Sequence, residues 1–360
     1  MASVKFNRIE FEKHIKLTEE NIKKISLFGI PIESVTDNEL ELEILPNRPD
    51  LLSLQGLIRS LKSFIGKEKD LKKYKINKPD KDYKIYIESE VKNIRPYTAC
   101  AIVKNISLDN EKIKILIDLQ EKLHLTLGRK RKKVAIGIYP LDKIKLPITY
   151  TALSPKDIKF IPLGADKEMD ALQILQKTST GRDYASLLEN YQKYPVFRDA
   201  KKQIISMPPI INSNETGKVT ENTKSLFVEC SGYDFNILKK TLNIITSTLA
   251  DMGADVYQME LNYGKNKEIT PDFSTEKMKI SLENTNSYLG LNLKEKDLVN
   301  LLEKMGYNYA NGKVEIPPWR LDFLHEVDII EDIAIAYGYD NLIPEIPNVF
   351  TPAEESKSGR

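Results

Sequence analysis

The sequence has 360 residues, of which 41% are hydrophobic and 29% charged, and its 54 basic and 52 acidic side chains leave a net charge of +2. This is the composition of an ordinary soluble globular protein, and the length predicts two or three domains. Because the net charge is small, charged partners have to be inferred from local patches.

The counts of a few residue types exclude several classes of site. Two cysteines, Cys100 and Cys230, exclude a cysteine zinc cluster and a disulfide framework. Three histidines leave little material for histidine-centred catalysis. No apolar run approaches the roughly 18 residues of a membrane span, and the polar, acid-containing N-terminus is unlike a signal or transit peptide. We therefore expect a cytoplasmic protein with no membrane partner.

The first predicted unit covers residues 1–84 and has mixed α/β character. LTEENIKKISLFGIPI has helical spacing and ends at Gly29, with Pro31 beyond it. ELELEIL alternates with period two, which predicts a half-buried strand. NRPDLLSLQGLIRSLKSFIG predicts a second helix, with Pro49 in its first turn and Gly66 at its end. The lysine-rich stretch 67–84 is predicted to be an exposed connection.

The second predicted unit, residues 85–268, alternates between strand and helix patterns without a regular order. Strands are predicted at KIYIESE, TACAIVKNI, VAIGIY and SLFVECSGYD, and helices at KIKILIDLQEKLHLTLG, MDALQILQ, YASLLENYQKY and NILKKTLNIITSTLADMG. A mixed order of this kind predicts an α+β fold.

The third predicted unit, residues 269–347, contains SLENTNSYLG, the helical KEKDLVNLLEKMGY, the short strand KVEIPPWR and an acidic helix. Helix, helix, strand, loop and helix in this order predict a small winged-helix-like module. Trp319 is predicted to anchor its core. The last residues, 348–360, are predicted to form a disordered tail.

The acidic helix, RLDFLHEVDIIEDI, carries five carboxylates in fourteen positions. At 100° per residue, Asp328, Glu331 and Asp332 fall on one face, opposite Ile329 and Ile333. One interpretation is a solvated face with Asp322 as the N-cap. The other is a site for a hard cation such as Mg²⁺, which prefers carboxylate oxygens.

Two further patterns bear on chemistry. RKRKK, residues 129–133, is either a solvated loop or a contact for nucleic-acid phosphates, because clustered cations gain affinity by releasing counterions. In LFVECSG, alternation places Glu229 and Ser231 on one face of a strand and Cys230 on the other. The Pro208–Pro209 pair interrupts any strand and leaves Ser206 and Asn212 on turns or strand ends.

Several long motifs resemble the β subunit of phenylalanyl-tRNA synthetase. They are NRPDLLSLQGLIRSL, PPIINS and PPWRLDFLHEVDIIEDIAIAYGYDN, while GRKRKKVAIGIYPLDKI, IKFIPLG, YASLLENYQKYPV and SLFVECSGYD resemble its archaeal and eukaryotic-type branch. The resemblance covers nearly all of residues 40–347. It implies a multi-domain α+β protein in which a mixed α/β editing domain (85–268) lies between a small N-terminal unit and the winged-helix-like module. The family's β subunit continues into an inactive synthetase-like module, and this sequence stops before it.

The resemblance also implies a function and partners. The complete enzyme, an α2β2 assembly with the α subunit, uses ATP to attach phenylalanine to tRNA-Phe. Its aminoacylation site lies on the α subunit, so ATP is not expected to bind this chain. The β subunit carries proofreading, the hydrolysis of tyrosine wrongly joined to the tRNA. The alternatives are a non-catalytic scaffold that binds tRNA and, more weakly, a DNA-binding protein, against which the acidic helix argues because it would repel a phosphate backbone.

The implied site residues fall into three groups. The proofreading pocket maps onto Phe197, Ser206, Asn212, Glu229 and Ser231. A Mg²⁺ ion shared with the α subunit maps onto four acids with the spacing D-x5-D-x2-E-[DE], namely Asp322, Asp328, Glu331 and Asp332. Contacts with tRNA are expected from Arg129, Lys130, Arg131, Lys132 and Lys133. Glu326 lies outside the metal spacing and is expected to stay in solvent.

Overall fold

The structure is a computed structural model and describes residues 2–344. The predicted tail, residues 348–360, lies outside the described residues. The first unit contains strands β1 (Ala2–Asn7), β2 (Ile32–Val35) and β3 (Glu39–Ile44), and helices α1 (Arg8–Glu12), α2 (Glu19–Leu27) and α3 (Leu54–Phe64).

The strands of the first unit form an antiparallel sheet in the order β1-β3-β2, with α3 packed beside it. The helix predicted before Gly29 is confirmed as α2, with Thr18 as its N-cap. The second helix begins later than predicted. Pro49 lies in a single 3-10 turn, and α3 starts after Ser53, whose hydroxyl accepts the N–H of Gly56.

The middle unit holds most of the strands and five helices. Its strands are β4 (Ile76–Asn77), β5 (Lys84–Ile87), β6 (Tyr97–Lys104), β7 (Val134–Pro140), β8 (Ile148–Leu153), β9 (Lys159–Phe160), β10 (Met169–Asp170), β11 (Tyr194–Arg198), β12 (Ile204–Met207), β13 (Ile211–Asn212), β14 (Leu226–Gly232), β15 (Asp255–Tyr263) and β16 (Asn266–Thr270). Its helices are α4 (Asn110–Leu125), α5 (Ala171–Lys177), α6 (Ser179–Tyr184), α7 (Asn214–Gly217) and α8 (Phe235–Asp251).

One large sheet organises the middle unit. Its strand order is β13-β12-β11-β8-β5-β15-β6-β14-β7, with β4 and β16 also paired to β15. The two ends of this curled sheet are in contact. The Tyr139 hydroxyl of β7 hydrogen-bonds Ser206 of β12 and Asn212 of β13. The inner face of the curl is a separate core that contains Phe197 and Phe227. The meeting of the two ends places residues that are far apart in sequence at one site.

The third unit has strands β17 (Glu276–Lys279), β18 (Asn308–Ala310) and β19 (Lys313–Ile316) in the order β17-β19-β18, with helices α9 (Leu282–Leu289), α10 (Glu295–Lys304) and α11 (Glu326–Tyr337). The three helices and β19 were predicted from the sequence, whereas β17 and β18 were not. The winged-helix likeness of this unit stays a prediction.

A continuous apolar core joins the three units, since it contains side chains of α3, of the outer face of the large sheet with α8, and of α10 and α11. The lysine-rich connection is part of this assembly and is not simply exposed. Leu71 is buried, and Tyr74 packs edge-on against Trp319. Trp319 is buried, as predicted for a core anchor.

One predicted helix of the middle unit is wrong. In YASLLENYQKY, residues 184–194, Tyr184 is the last residue of α6, residues 185–187 form a 3-10 turn, and Tyr194 begins β11. Only Tyr194 pairs in the sheet, opposite Leu153, so strand pairing sets the C-terminal end of this segment. None of the helices within residues 2–344 is long and apolar enough to cross a membrane.

Candidate functional site

The Tyr139 hydroxyl is the point where the two ends of the large sheet meet. It lies 2.9 Å from Ser206 Oγ and 3.2 Å from both Asn212 Oδ1 and Glu229 Oε1. A phenol has one proton to donate, so these three acceptors share it. The structure thereby brings together three predicted site residues, from β12, β13 and β14, around a tyrosine that sequence analysis did not single out.

Glu229 is a buried carboxyl group with one oxygen uncommitted. The residue is 2% exposed, and burial raises the pKa of its carboxyl group to about 8 even though Arg95 and the Tyr139 hydrogen bond favour the ionised form. Its Oε2 atom is buried and has no hydrogen-bond partner among residues 2–344. Gly137, which is paired with Glu229 in the sheet, has to be glycine. A Cβ there would overlap the Tyr139 hydroxyl and lie 2.6 Å from Glu229 Oε1.

A cavity of about 370 Å³ opens beside this carboxyl group. Glu229 and Asn212 contribute to its wall, and most of the remaining wall is apolar, from α4, β7 and the Pro208–Ile211 segment. Small-molecule pockets typically measure roughly 300–1,000 Å³ and combine apolar walls with a few placed polar groups. The cavity has the size and lining of such a pocket.

Arg131 closes one side of the cavity. Its Nη1 donates to the carbonyl oxygen of Ile210 at 2.9 Å, its Nη2 to Glu121 Oε1 at 3.0 Å, and its guanidinium lies 4.5 Å from the centre of the Tyr184 ring. Its Nε is buried without a partner in the described part of the chain. Arg131 was predicted as a tRNA contact, and the structure places it in the cavity wall instead of among the exposed cations.

His124 also lines the cavity, and its two ring nitrogens are both engaged. Its Nε2 accepts the N–H of Ile136 at 2.8 Å, which requires the ring proton to lie on Nδ1, 3.2 Å from Glu121 Oε1. Burial lowers the pKa of His124. The imidazole is therefore a neutral structural group between α4 and β7.

Three predicted pocket residues, Phe197, Ser206 and Ser231, are not among the residues that line the cavity. Phe197 is fully buried and stacks on Tyr150, with ring centres 4.3 Å apart. Ser231 accepts a hydrogen bond from Arg95 Nε at 3.1 Å. Phe197 is paired with Ser206 in the sheet, so it supports the strand that carries a hydroxyl of the site.

The basic run connects α4 to β7, the two elements that flank the cavity. Four of its side chains are exposed: Arg129, Lys130, Lys132 and Lys133. Three successive residues, Arg129 to Arg131, have φ values of 47°, 54° and 63° in the left-handed region, so the backbone turns tightly here. This turn directs Arg131 inward and leaves the other four cations in solvent.

The four predicted metal ligands line one cleft of about 220 Å³ between α11 and the first unit. Asp322 is paired with Arg320 through two hydrogen bonds of 2.7 and 2.8 Å, and Asp332 is buried against Arg320 and the Tyr307 hydroxyl. Asp332 therefore does not belong to a solvated face, because Arg320 and Tyr307 provide partners that make its burial favourable.

The remaining acids of this helix differ in their roles. Asp328 accepts the N–H groups of Leu324 and His325, and the N-cap is His325, so the prediction of Asp322 as N-cap is wrong. Glu326 accepts from the N–H of Ser281 and from Asn284, which corrects the expectation that it stays in solvent. Glu331 is exposed.

These carboxylates do not fit a magnesium site closed by this chain alone. Within residues 2–344, no group of three or more His, Cys, Asp or Glu side chains is arranged to hold a metal ion. Arg320 is already paired with both Asp322 and Asp332 and offsets one of their two negative charges. The magnesium site therefore stays a prediction, and it would need ligands from another subunit.

Comparison with known proteins gives matches along almost the whole chain. Residues 82–251 match the B3/4 domain and residues 278–339 match the tRNA synthetase B5 domain. The phenylalanine–tRNA ligase β subunits of Archaeoglobus fulgidus and Methanococcus aeolicus are 40% and 39% identical to it, over 92% and 99% of this chain. The alignments cover 60% and 65% of those relatives, so the chain spans less than two thirds of their length.

A solved structure is also similar over nearly the whole chain. The crystal structure of an N-terminal fragment of the phenylalanyl-tRNA synthetase β-subunit from Pyrococcus horikoshii superimposes with a TM-score of 0.89 at 35% identity, covering 93% of this chain and 99% of the fragment. The fold and the two matched domains define a tRNA synthetase subunit of the B3/4 and B5 type. The chain belongs to the phenylalanyl-tRNA synthetase β-subunit family, as the sequence motifs predicted.

Proposed function

We propose that the chain serves in a phenylalanine–tRNA ligase as part of its β subunit, and that its middle unit hydrolyses tyrosine wrongly esterified to tRNA-Phe. The observation that supports editing most directly is Glu229 Oε2, which has no partner in residues 2–344 and lies at the wall of a cavity with a mostly apolar lining. The family membership supports the ligase role. The aminoacylation site and the use of ATP would then belong to the α subunit.

Recognition of tyrosine would rest on Glu229. With a pKa of about 8, its carboxyl group is mostly protonated at neutral pH, so it can donate to the phenol oxygen or accept the phenol proton. Phenylalanine would leave this buried polar group unpaired. A site that pairs a substrate hydroxyl can reject the analogue lacking it by about 10⁴–10⁵. The cavity would therefore select the tyrosyl ester and spare the correct product.

Hydrolysis would rest on a positioned water and on hydrogen-bond donors. His124 has both nitrogens engaged and is a poor candidate for a general base. Asn212 Oδ1 accepts from Tyr139, which leaves its Nδ2 group to donate to the ester carbonyl as negative charge develops there. The exposed cations Arg129, Lys130, Lys132 and Lys133, beside the cavity, would hold phosphates of the tRNA end.

The experiment is deacylation of Tyr-tRNA and Phe-tRNA by the α–β complex with Glu229→Ala or Asn212→Ala in this chain. Losing one hydrogen bond to a buried substrate group costs about 1–3 kcal/mol, so Tyr-tRNA hydrolysis should fall roughly five- to hundredfold. Glu189→Ala, which removes an exposed acid of the same unit, is the control and should hydrolyse Tyr-tRNA at the normal rate.

Aminoacylation by the same preparations separates loss of editing from loss of the complex. Both variants should charge phenylalanine normally. Undiminished Tyr-tRNA hydrolysis in both would remove these residues from the site and favour the alternative, a middle unit that is a non-catalytic scaffold for tRNA and the α subunit.

A further inference from the structure

A second polar cavity, of about 300 Å³, lies where the first unit, the lysine-rich connection and the third unit meet. Its lining includes Arg59 and Ser60 of α3, Lys72 of the connection, and Trp319 of the third unit. It lies apart from the cavity beside Glu229, and the two linings share no residue.

Arg59 is the unusual group in this cavity. The residue is 6% exposed, and only its Nη1 is committed, to Asp251 at 2.8 Å and to the Tyr74 hydroxyl at 2.7 Å. Its Nε and Nη2 are buried and have no hydrogen-bond partner in the part of the chain that the structure describes. Trp319 covers the face of the guanidinium at 4.2 Å, so an acceptor for these two nitrogens has to lie in the guanidinium plane. A buried charged donor without an acceptor is destabilising.

Two neighbouring arginines show what this edge of a guanidinium binds. Arg48 holds both oxygens of Asp50 through Nε and Nη2 at 2.9 and 2.8 Å. Arg320 holds both oxygens of Asp322 through the same two nitrogens at 2.8 and 2.7 Å. All three arginines line the cavity. Of the three, only Arg59 has an Nε–Nη2 edge with no hydrogen-bond partner in residues 2–344. This edge is the planar fork that pairs with carboxylate or phosphate oxygens.

We propose that this cavity binds a phosphate-class oxyanion, with two of its oxygens on the Nε–Nη2 edge of Arg59. Lys72 supplies a further cation, since it shares the carboxylate of Asp251 with Arg59. The Ser60 hydroxyl, which accepts from Arg48 at 3.4 Å, keeps its own proton to donate. The bound anion would link α3, the connection and the third unit.

The charges around the cavity favour a small anion over a large one. Arg48 is neutralised by Asp50, and Asp251 offsets one of the two cations Arg59 and Lys72. Glu68 is paired with Lys62, while Lys69 and Asp70 at the exposed rim offset each other. The Arg59–Lys72 pair therefore has one positive charge without a partner, while Arg320, with its two partners Asp322 and Asp332, carries one excess negative charge. The phosphate can be inorganic phosphate or one group of an RNA backbone.

The test uses the full chain and inorganic phosphate as the probe, with chloride at equal ionic strength as the reference. Isothermal titration calorimetry should show saturable binding of phosphate, and the melting temperature should rise by a few degrees as the site fills. Arg59→Lys keeps the charge and removes the fork, so phosphate affinity should fall at least tenfold. Arg8→Lys is the matched control, since the Nε of Arg8 is already taken by Glu12, and its affinity should be unchanged.

A second variant keeps the test decisive if Arg59→Lys proves unstable. Lys72→Gln changes a more exposed side chain and should weaken phosphate binding several-fold while the circular dichroism spectrum stays native. The proposal is overturned if chloride raises the melting temperature as much as phosphate does, or if both variants bind phosphate with wild-type affinity. Water would then be the partner of the Arg59 edge. If tRNA displaces phosphate from wild type but not from Arg59→Lys, the phosphate group bound by the cavity belongs to RNA. Phosphate binding without competition assigns it to the free anion.

Discussion

At the scale of single residues, the proposed editing chemistry depends on Glu229, because burial raises the pKa of its carboxyl group to about 8. Glu229 and Ser231 share one face of β14, as the period-two alternation predicted, and Phe227 beside them lies in the inner core. The sequence could not reveal Tyr139, because a tyrosine within an apolar strand is typical of a core position. Its role depends on the meeting of β7 with β12 and β13, which no local pattern encodes.

Burial of Glu229 predicts how stability depends on pH. Its pKa is raised from 4.5 to about 8 in the folded state, so between these values the folded protein binds more protons than the unfolded chain. The free energy of unfolding should therefore fall by about 1.4 kcal/mol per pH unit through this window and level off above pH 8. Glu229→Gln has no proton to lose, so relative to wild type it should become more stable as pH rises from 5 to 9.

The measurement is urea unfolding of wild type and Glu229→Gln at pH 5.5, 7 and 8.5. Comparing the two proteins cancels the opposite contribution of His124, whose lowered pKa removes stability as pH falls below its ordinary value of 6.5. Parallel pH profiles for the two proteins would show that Glu229 titrates normally in the folded state.

At the scale of secondary-structure elements, apolar periodicity predicted most helices of residues 2–344 but only six of the strands described there: β3, β5, β6, β7, β14 and β19. It missed β15 at the centre of the large sheet, although Tyr257, Met259 and Leu261 alternate with polar residues in the period-two pattern of a half-buried strand. The alternating polar side chains are only half-buried, as this pattern predicts. At residues 184–194 the helical spacing was a local preference that the fold does not follow, and the segment ends where Tyr194 enters β11.

The turn between α4 and β7 carries the prediction for RNA binding. Replacing Arg129, Lys130, Lys132 and Lys133 with glutamine should weaken tRNA binding and flatten its dependence on salt. Each lost phosphate contact should reduce the slope of log K against log salt by about 0.7–0.9. Arg131 is left unchanged, because its hydrogen bonds to Ile210 and Glu121 hold the cavity wall.

Filter binding of tRNA at several salt concentrations measures this slope. Lys156→Gln with Lys159→Gln, two exposed cations elsewhere in the middle unit, provides the control and should keep the wild-type slope. If the fourfold variant also keeps it, the four cations are solvated side chains without a phosphate role.

At the scale of the whole molecule, the three units are joined through a junction of buried ion pairs. Arg59 of α3 pairs with Asp251 at the end of α8, and Ser53 Oγ lies 3.0 Å from Thr248 Oγ1. On the other side, Arg48 and Arg320 stand between this junction and the acidic cleft. The sequence motifs indicated the family but not this arrangement, because Arg59 and Asp251 are far apart in sequence and only the assembled units bring them together.

The acidic cleft supplies the last prediction, that Asp328 and Glu331 contribute to Mg²⁺-dependent association with an α subunit. Asp322 and Asp332 share the single counterion Arg320, whereas Asp328 and Glu331 have no salt-bridge partner within residues 2–344, so these two supply most of the negative charge available to a cation. Asp328→Asn with Glu331→Gln removes this charge, while the asparagine oxygen can still accept the N–H groups of Leu324 and His325. The chain should therefore stay folded, with a melting temperature close to that of wild type.

Sedimentation of mixtures with the α subunit, with Mg²⁺ or with a chelator, tests this directly. In Mg²⁺ the double variant should associate about tenfold more weakly than wild type, and the chelator should weaken wild type much more than the variant. Asp340→Asn, an exposed acid just beyond α11, should behave as wild type. If wild type associates with the α subunit equally well in Mg²⁺ and in the chelator, the prediction of a Mg²⁺ site is wrong. These carboxylates would then serve the fold alone, Asp328 at the start of α11, and Asp322 and Asp332 as counterions that make the burial of Arg320 favourable.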